Sequence, residues 1–67
     1  MEPFATRLTE LRKEKNLSMN DLAKKIEAAS TMISKWERGK TTPSLPMIYK
    51  LQKFFGVSMD VLLGIED

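Results

Sequence analysis

Four polar side chains in one short stretch of this 67-residue chain stand at helical spacing. Thr31, Ser34, Lys35 and Arg38 recur at intervals of three, one and three, while Ile33 and Trp36, with Met32 and Ala29 beside them, make an apolar face. Hydroxyls and cations on one face supply hydrogen bonds and positive charge, which is chemistry for holding a polyanion rather than for making or breaking bonds. The charge distribution agrees. Residues 24–53 carry seven basic side chains (Lys24, Lys25, Lys35, Arg38, Lys40, Lys50, Lys53) against Glu27 and Glu37. Residues 1–23 balance four basic against four acidic, and residues 54–67 hold only Asp60, Glu66 and Asp67, so the whole chain carries just +2. A solvated face of lysines would give the same count, so charge alone decides nothing.

Other chemistries find no foothold. The chain has no histidine and no cysteine, which removes disulfide staples and the usual zinc sites. No glycine-rich phosphate loop and no carboxylate pair stands in a recognisable catalytic motif. An enzyme, a cofactor, a metal or a small-molecule ligand is therefore not expected. No run of about 18 apolar residues exists to span a membrane. The opening Met1-Glu2-Pro3 lacks the basic and apolar regions of a secretory signal. A cytoplasmic protein is expected.

The elements that must position the polar face follow from periodicity and capping. At this length a single domain spanning 1–67 is expected, stabilised by a helical core. Phe4, Leu8 and Leu11 share one face of a first helix running to about Lys15, with Pro3 in its first turn and Asn16 as its stop. Ser18 opens a second, short helix, and Asp21 three residues on completes a capping-box pattern. Leu22, Ala23 and Ile26 are its apolar side. The third helix runs from about Ser30 to Arg38 and stops at Gly39. Lys40-Thr41-Thr42-Pro43 reads as a loop. Ser44 caps a fourth helix with Ile48, Leu51 and Phe55 inward, and Gly56 ends it. Ser58 caps a fifth, with Val61 and Leu62 inward, closed by Gly64. No stretch alternates as a strand does, so the expected fold is all-α, a bundle of five short helices. Two short helices joined by a turn, the second with an exposed polar face, describe a helix-turn-helix.

The ordered set Leu17-Ser18, Leu22-Ala23, Ile33-Ser34-Lys35-Trp36-Glu37-Arg38-Gly39-Lys40, Pro43-Ser44-Leu45, Phe55-Gly56-Val57-Ser58 and Leu62-Leu63-Gly64 resembles the lambda-repressor-like helix-turn-helix family, of Cro and xenobiotic-response-element type. The resemblance covers about Phe4 to Gly64. It implies sequence-specific binding of double-stranded DNA by a transcriptional regulator, a repressor, working as a homodimer on a palindromic operator. It places base reading at Ser30, Thr31 and Lys35, with Met32 against a thymine methyl. It places phosphate contacts at Ser18, Met19, Ser34, Arg38, Lys40 and Thr41. It also implies an ion pair between Arg12 and Glu37.

The chain departs from the family at the turn. Glu27 stands where the family has a glycine in positive φ, Ala28 replaces a branched apolar residue, and Ala29 replaces a Ser or Thr cap. Met19 stands where a phosphate-touching Gln is usual. Two readings follow. In the leading one, Glu27 accepts the strain, Ser30 or Thr31 supplies the missing cap, and DNA binding survives. In the other, the motif is only a helical scaffold, and the protein is an antitoxin-like or adaptor protein that binds other proteins. Phe54 bears on this choice. It lies beside Phe55, so both cannot point fully inward. It is either a partly exposed aromatic or a dimer contact together with Met59 and Met47.

Overall fold

The structure, a computed structural model, describes residues 2–65. Met1, Glu66 and Asp67, at the ends of the expected domain, lie outside the described residues. Five helices follow in order: α1 Glu2–Glu14, α2 Met19–Ile26, α3 Ser30–Glu37, α4 Leu45–Phe55 and α5 Met59–Leu63. None of them, among the described residues, is long and apolar enough to cross a membrane.

Each boundary has a local cause. Asn16 adopts φ 57°, the left-handed conformation an asparagine tolerates, and ends α1. Ser18 caps α2 through its side chain, which accepts from the Asp21 N–H at 3.0 Å, while the Asp21 carboxylate accepts from the Ser18 N–H at 3.2 Å. Ser44 and Ser58 cap α4 and α5 in the same way, accepting from Met47 and Val61. Arg38, expected inside α3, is instead its C-cap residue, and Gly39 turns the chain at φ 71°.

The apolar stripes converge on one core. Phe4, Leu8, Leu11, Leu22, Ala23, Ile26, Ile33, Trp36, Ile48, Leu51, Phe55 and Leu62 are all buried. Truncating one of the larger ones to alanine would cost about 2–5 kcal/mol, a large share of what a domain of this size has. Helix α1 packs on α3 and α5, α2 packs on α3 and α4, and α4 packs on α5. Gly64 closes the circuit. At φ 70° its backbone runs so close to α1 that a Cβ there would sit 2.6 Å from the Pro3 carbonyl oxygen. Arg7 adds a hydrogen bond from Nη1 to the Val61 carbonyl at 2.7 Å.

Two inward expectations need correction. Val61 is only half-buried, and in α3 the buried side chains are Ile33 and Trp36 alone. Met32 is 40% exposed and Ala29 is exposed. Two turns of helix present a narrow stripe to the core, and a neighbour one residue away stands about 100° around the axis.

Candidate nucleic-acid interface

The turn between α2 and α3 is Glu27-Ala28-Ala29. Glu27 takes φ 58° and ψ 48°, the left-handed geometry, as expected for a residue standing where glycine is favoured. The N–H groups of Glu27 and Ala28 converge on the Ala23 carbonyl, the second at 2.8 Å, so the end of α2 is closed despite the substitution. Lys50 of α4 reaches the same point, its Nζ 3.4 Å from both the Ile26 carbonyl and Glu27 Oε1. The turn geometry survives without its glycine.

The entrance to α3 differs from expectation. Ala29 is the N-cap residue, and no side chain caps it; neither Ser30 nor Thr31 supplies the missing bond. The Ala29 carbonyl starts the helix by accepting from Met32 and Ile33 at 3.0 and 3.3 Å. A hydroxyl at the first or second helical position points back along the axis and cannot take the capping role of the residue before it.

Across this turn the starts of α2 and α3 come together. Ser18, Met19, Asn20, Ser30, Thr31 and Ser34 line a shallow open groove of about 320 Å³. The groove joins two residues expected at phosphates, Ser18 and Met19, to Ser30, Thr31 and Ser34 on α3. Asn20 was missed. Its signal was its place in the first turn of α2, on the exposed side of the capping box. Thr31 is also exposed, and beyond the groove Met32 and Lys35 are exposed along α3, with Arg38, Lys40 and Thr41 exposed at its far end. The Lys40 N–H bonds the Lys35 carbonyl at 2.9 Å, which ties the loop to the end of the helix.

The acidic residues near this face are engaged elsewhere. Arg12 Nε meets Glu37 Oε2 at 2.7 Å and Nη2 meets Oε1 at 3.0 Å, a bidentate pair with side chains only 12% and 5% exposed. Arg12 Nη1 also donates to the Leu17 carbonyl at 2.8 Å. The Thr9 hydroxyl, another residue the sequence did not single out, lies 3.0 Å from both Glu37 Oε1 and the Ala5 carbonyl. Hydrogen bonding to the Glu37 carboxylate raises the Arg12 pKa above its ordinary value, against the opposing effect of burial. Asp21 is held below its usual pKa, first by the Ser18 backbone N–H and then by the Ser18 side chain. What faces outward from α3 and its following loop is therefore hydroxyl and cation, with Met32 as the apolar exception.

Phe54, Met59 and Met47 do not form an open apolar face. All three are half-buried against the core, and the Phe54 ring meets Phe55 edge-on at 5.1 Å. The exposed large apolar residues of α4 are Leu45 and Tyr49, at 79% and 58%. Tyr49 lies off the Ile48–Leu51–Phe55 stripe, a signal that could have found it, whereas Leu45 stands three residues before Ile48 and is exposed as the first residue of α4. Among the described residues, no cluster of acidic side chains could hold a metal ion.

Comparison with known proteins gives one family. Residues 8–62 match the family described as Helix-turn-helix. The chain is 41% identical over 64 residues to the HTH-type transcriptional activator BcrR of Enterococcus faecalis, covering 96% of this chain and 31% of that protein. It is 42% identical over 52 residues to an uncharacterized HTH-type transcriptional regulator of Methanocaldococcus jannaschii, covering 78% of this chain and 79% of that one. It is 30% identical over 61 residues to the cryptic phage CTXphi transcriptional repressor RstR of Vibrio cholerae, covering 91% of this chain and 55% of that repressor.

Proposed function

The chain belongs to the lambda-repressor-like helix-turn-helix family of DNA-binding transcription regulators, and from that premise we propose that it binds double-stranded DNA sequence-specifically with α3 in the major groove. Ser30, Thr31, Met32 and Lys35 read base edges, hydroxyls and ammonium by hydrogen bonding and Met32 by contact with a thymine methyl. Ser18, Ser34, Arg38, Lys40 and Thr41 hold phosphates, and Met19 contributes its backbone N–H at the start of α2. The observation that carries this reading is the groove shared by the starts of α2 and α3, continued by exposed cations along and beyond α3.

A second copy completes the site. The domain measures 31 × 24 × 22 Å between Cα extremes, and half-sites of a palindrome stand about 34 Å apart along the duplex. Two copies on one palindromic operator thus stand side by side, meeting through α4 and the start of α5, with Met47, Phe54 and Met59 at the contact. The protein acts in the cytoplasm as a repressor, by occupying the operator. Relatives include both an activator and a repressor, and transcription from a promoter carrying the selected operator distinguishes the two, with repression the expected result.

The experiment is a titration with mixed-sequence duplex at several salt concentrations, followed by selection of bound sequences from a random pool. Affinity falling steeply with salt, and a selected palindrome, are the expected results. An absence of binding at low salt overturns the reading.

A further inference from the structure

The end of α2 remote from the DNA-facing groove carries a second concavity. Lys25, Ile26, Glu27, Lys50, Lys53 and Phe54 line an open groove of about 330 Å³ between the end of α2 and α4. We propose that this groove docks an acidic peptide segment of a partner protein, with one apolar side chain set on Phe54 and carboxylates on Lys25 and Lys53.

Three observations support it. The floor is a fixed aromatic: Phe54 is held edge-on against Phe55, and Lys15 Nζ lies 5.7 Å from its ring centroid. The rim is cationic. Lys25, Lys50 and Lys53 line it and Lys15 flanks it, against one carboxylate, Glu27. That carboxylate is 83% exposed and is 3.4 Å from Lys50, a pair weak enough in water for an incoming carboxylate to displace. Charge complementarity therefore selects an acidic occupant, and the partly open ring selects one that also carries an apolar anchor.

Position separates this groove from the proposed DNA contacts. Ser18 caps one end of α2 and Glu27 the other, with eight helical residues, about 12 Å, between them. A partner seated at Glu27 leaves the α2–α3 groove free, so this docking goes beyond the proposed DNA binding, but it occupies Phe54 and therefore competes with the proposed contact between two copies.

The test is an NMR titration of the isotope-labelled chain with a short synthetic peptide of aspartates and glutamates flanking a leucine pair. Polyglutamate of the same length and a mixed-sequence duplex serve as separate arms. The expected result is saturable shifts at Lys25, Glu27, Lys50 and Phe54 with the leucine peptide, weaker with polyglutamate. Lys53→Glu, a surface change that leaves the core intact, and Phe54→Ala should each weaken peptide binding about tenfold. If Phe54→Ala unfolds the chain, Lys53→Glu alone decides. Equal affinity for polyglutamate, shifts confined to Lys35, Arg38 and Lys40, no shifts at all, or duplex shifting the groove residues more than peptide does would each overturn the proposal.

Discussion

Arg12 and Glu37, twenty-five residues apart, meet through two parallel hydrogen bonds and so lock the C-terminal end of α3 to the last turns of α1. Removing one partner leaves the other's charge buried. Glu37→Ala or Arg12→Ala should each destabilise the domain by about 3 kcal/mol, whereas a double change to apolar residues of similar volume should cost far less. Denaturant unfolding of the three variants checks this; a double variant as unstable as the singles would refute it.

The left-handed turn gives a prediction of opposite sign. Glu27→Gly relieves strain of about 1 kcal/mol and loses only an exposed contact with Lys50. The melting temperature should rise by about 4–8 °C for a domain this small. An unchanged or lower value would mean that the Glu27–Lys50 contact matters more than its exposure suggests.

On DNA, Lys35 and Lys40 should behave differently. Lys35→Ala should weaken binding to the selected site about tenfold while sparing random duplex, as a base reader does. Lys40→Ala should weaken both equally and lower the salt slope by about 1. Competition binding at two salt concentrations distinguishes them.

The capping box makes stability depend on pH at the acid end. Asp21 has a lower pKa folded than unfolded, so its contribution is fully present above its ordinary value and is lost as pH falls through the folded one. Ser18→Ala, which removes the cap's side chain, should cost about 1 kcal/mol at neutral pH and reduce this acid-side loss without abolishing it, because the Ser18 N–H still bonds the Asp21 carboxylate. Unfolding of both proteins from neutral pH down to about pH 3, below the usual aspartate value, tests it.

Gly64→Ala should be damaging despite its small size. The added methyl meets the Pro3 carbonyl oxygen at 2.6 Å in a positive-φ backbone. A loss of more than about 1 kcal/mol is expected, against almost none for a helix-surface alanine. Thermal melts decide.

Local chemistry made much of the fold legible before the structure. Ser18 with Asp21, Asn16, Gly39, Ser44 and Ser58 each act within a few residues, and each is found in the predicted role. The pairing of Arg12 with Glu37 came from family resemblance, since nothing in a single sequence brings residues in separate helices together. What was misjudged depends on tertiary setting. Two turns of α3 are too few for periodicity to say that Met32 faces out. Phe54 is half-buried, in line with the partly exposed alternative, and the contributions of Asn20 and Thr9 depend on neighbours from other helices.

The missing cap at Ala29 also has a consequence in time. With the start of α2 doubly bonded and that of α3 bonded by no side chain, the two halves of the motif differ in how often they open. The amide hydrogens of Ser30 and Thr31 should exchange with solvent well before those of Leu22 and Ala23. An occupant that accepts from those amides would slow their exchange, so protection at the entrance of α3 becomes a clock for occupancy of the groove beside it.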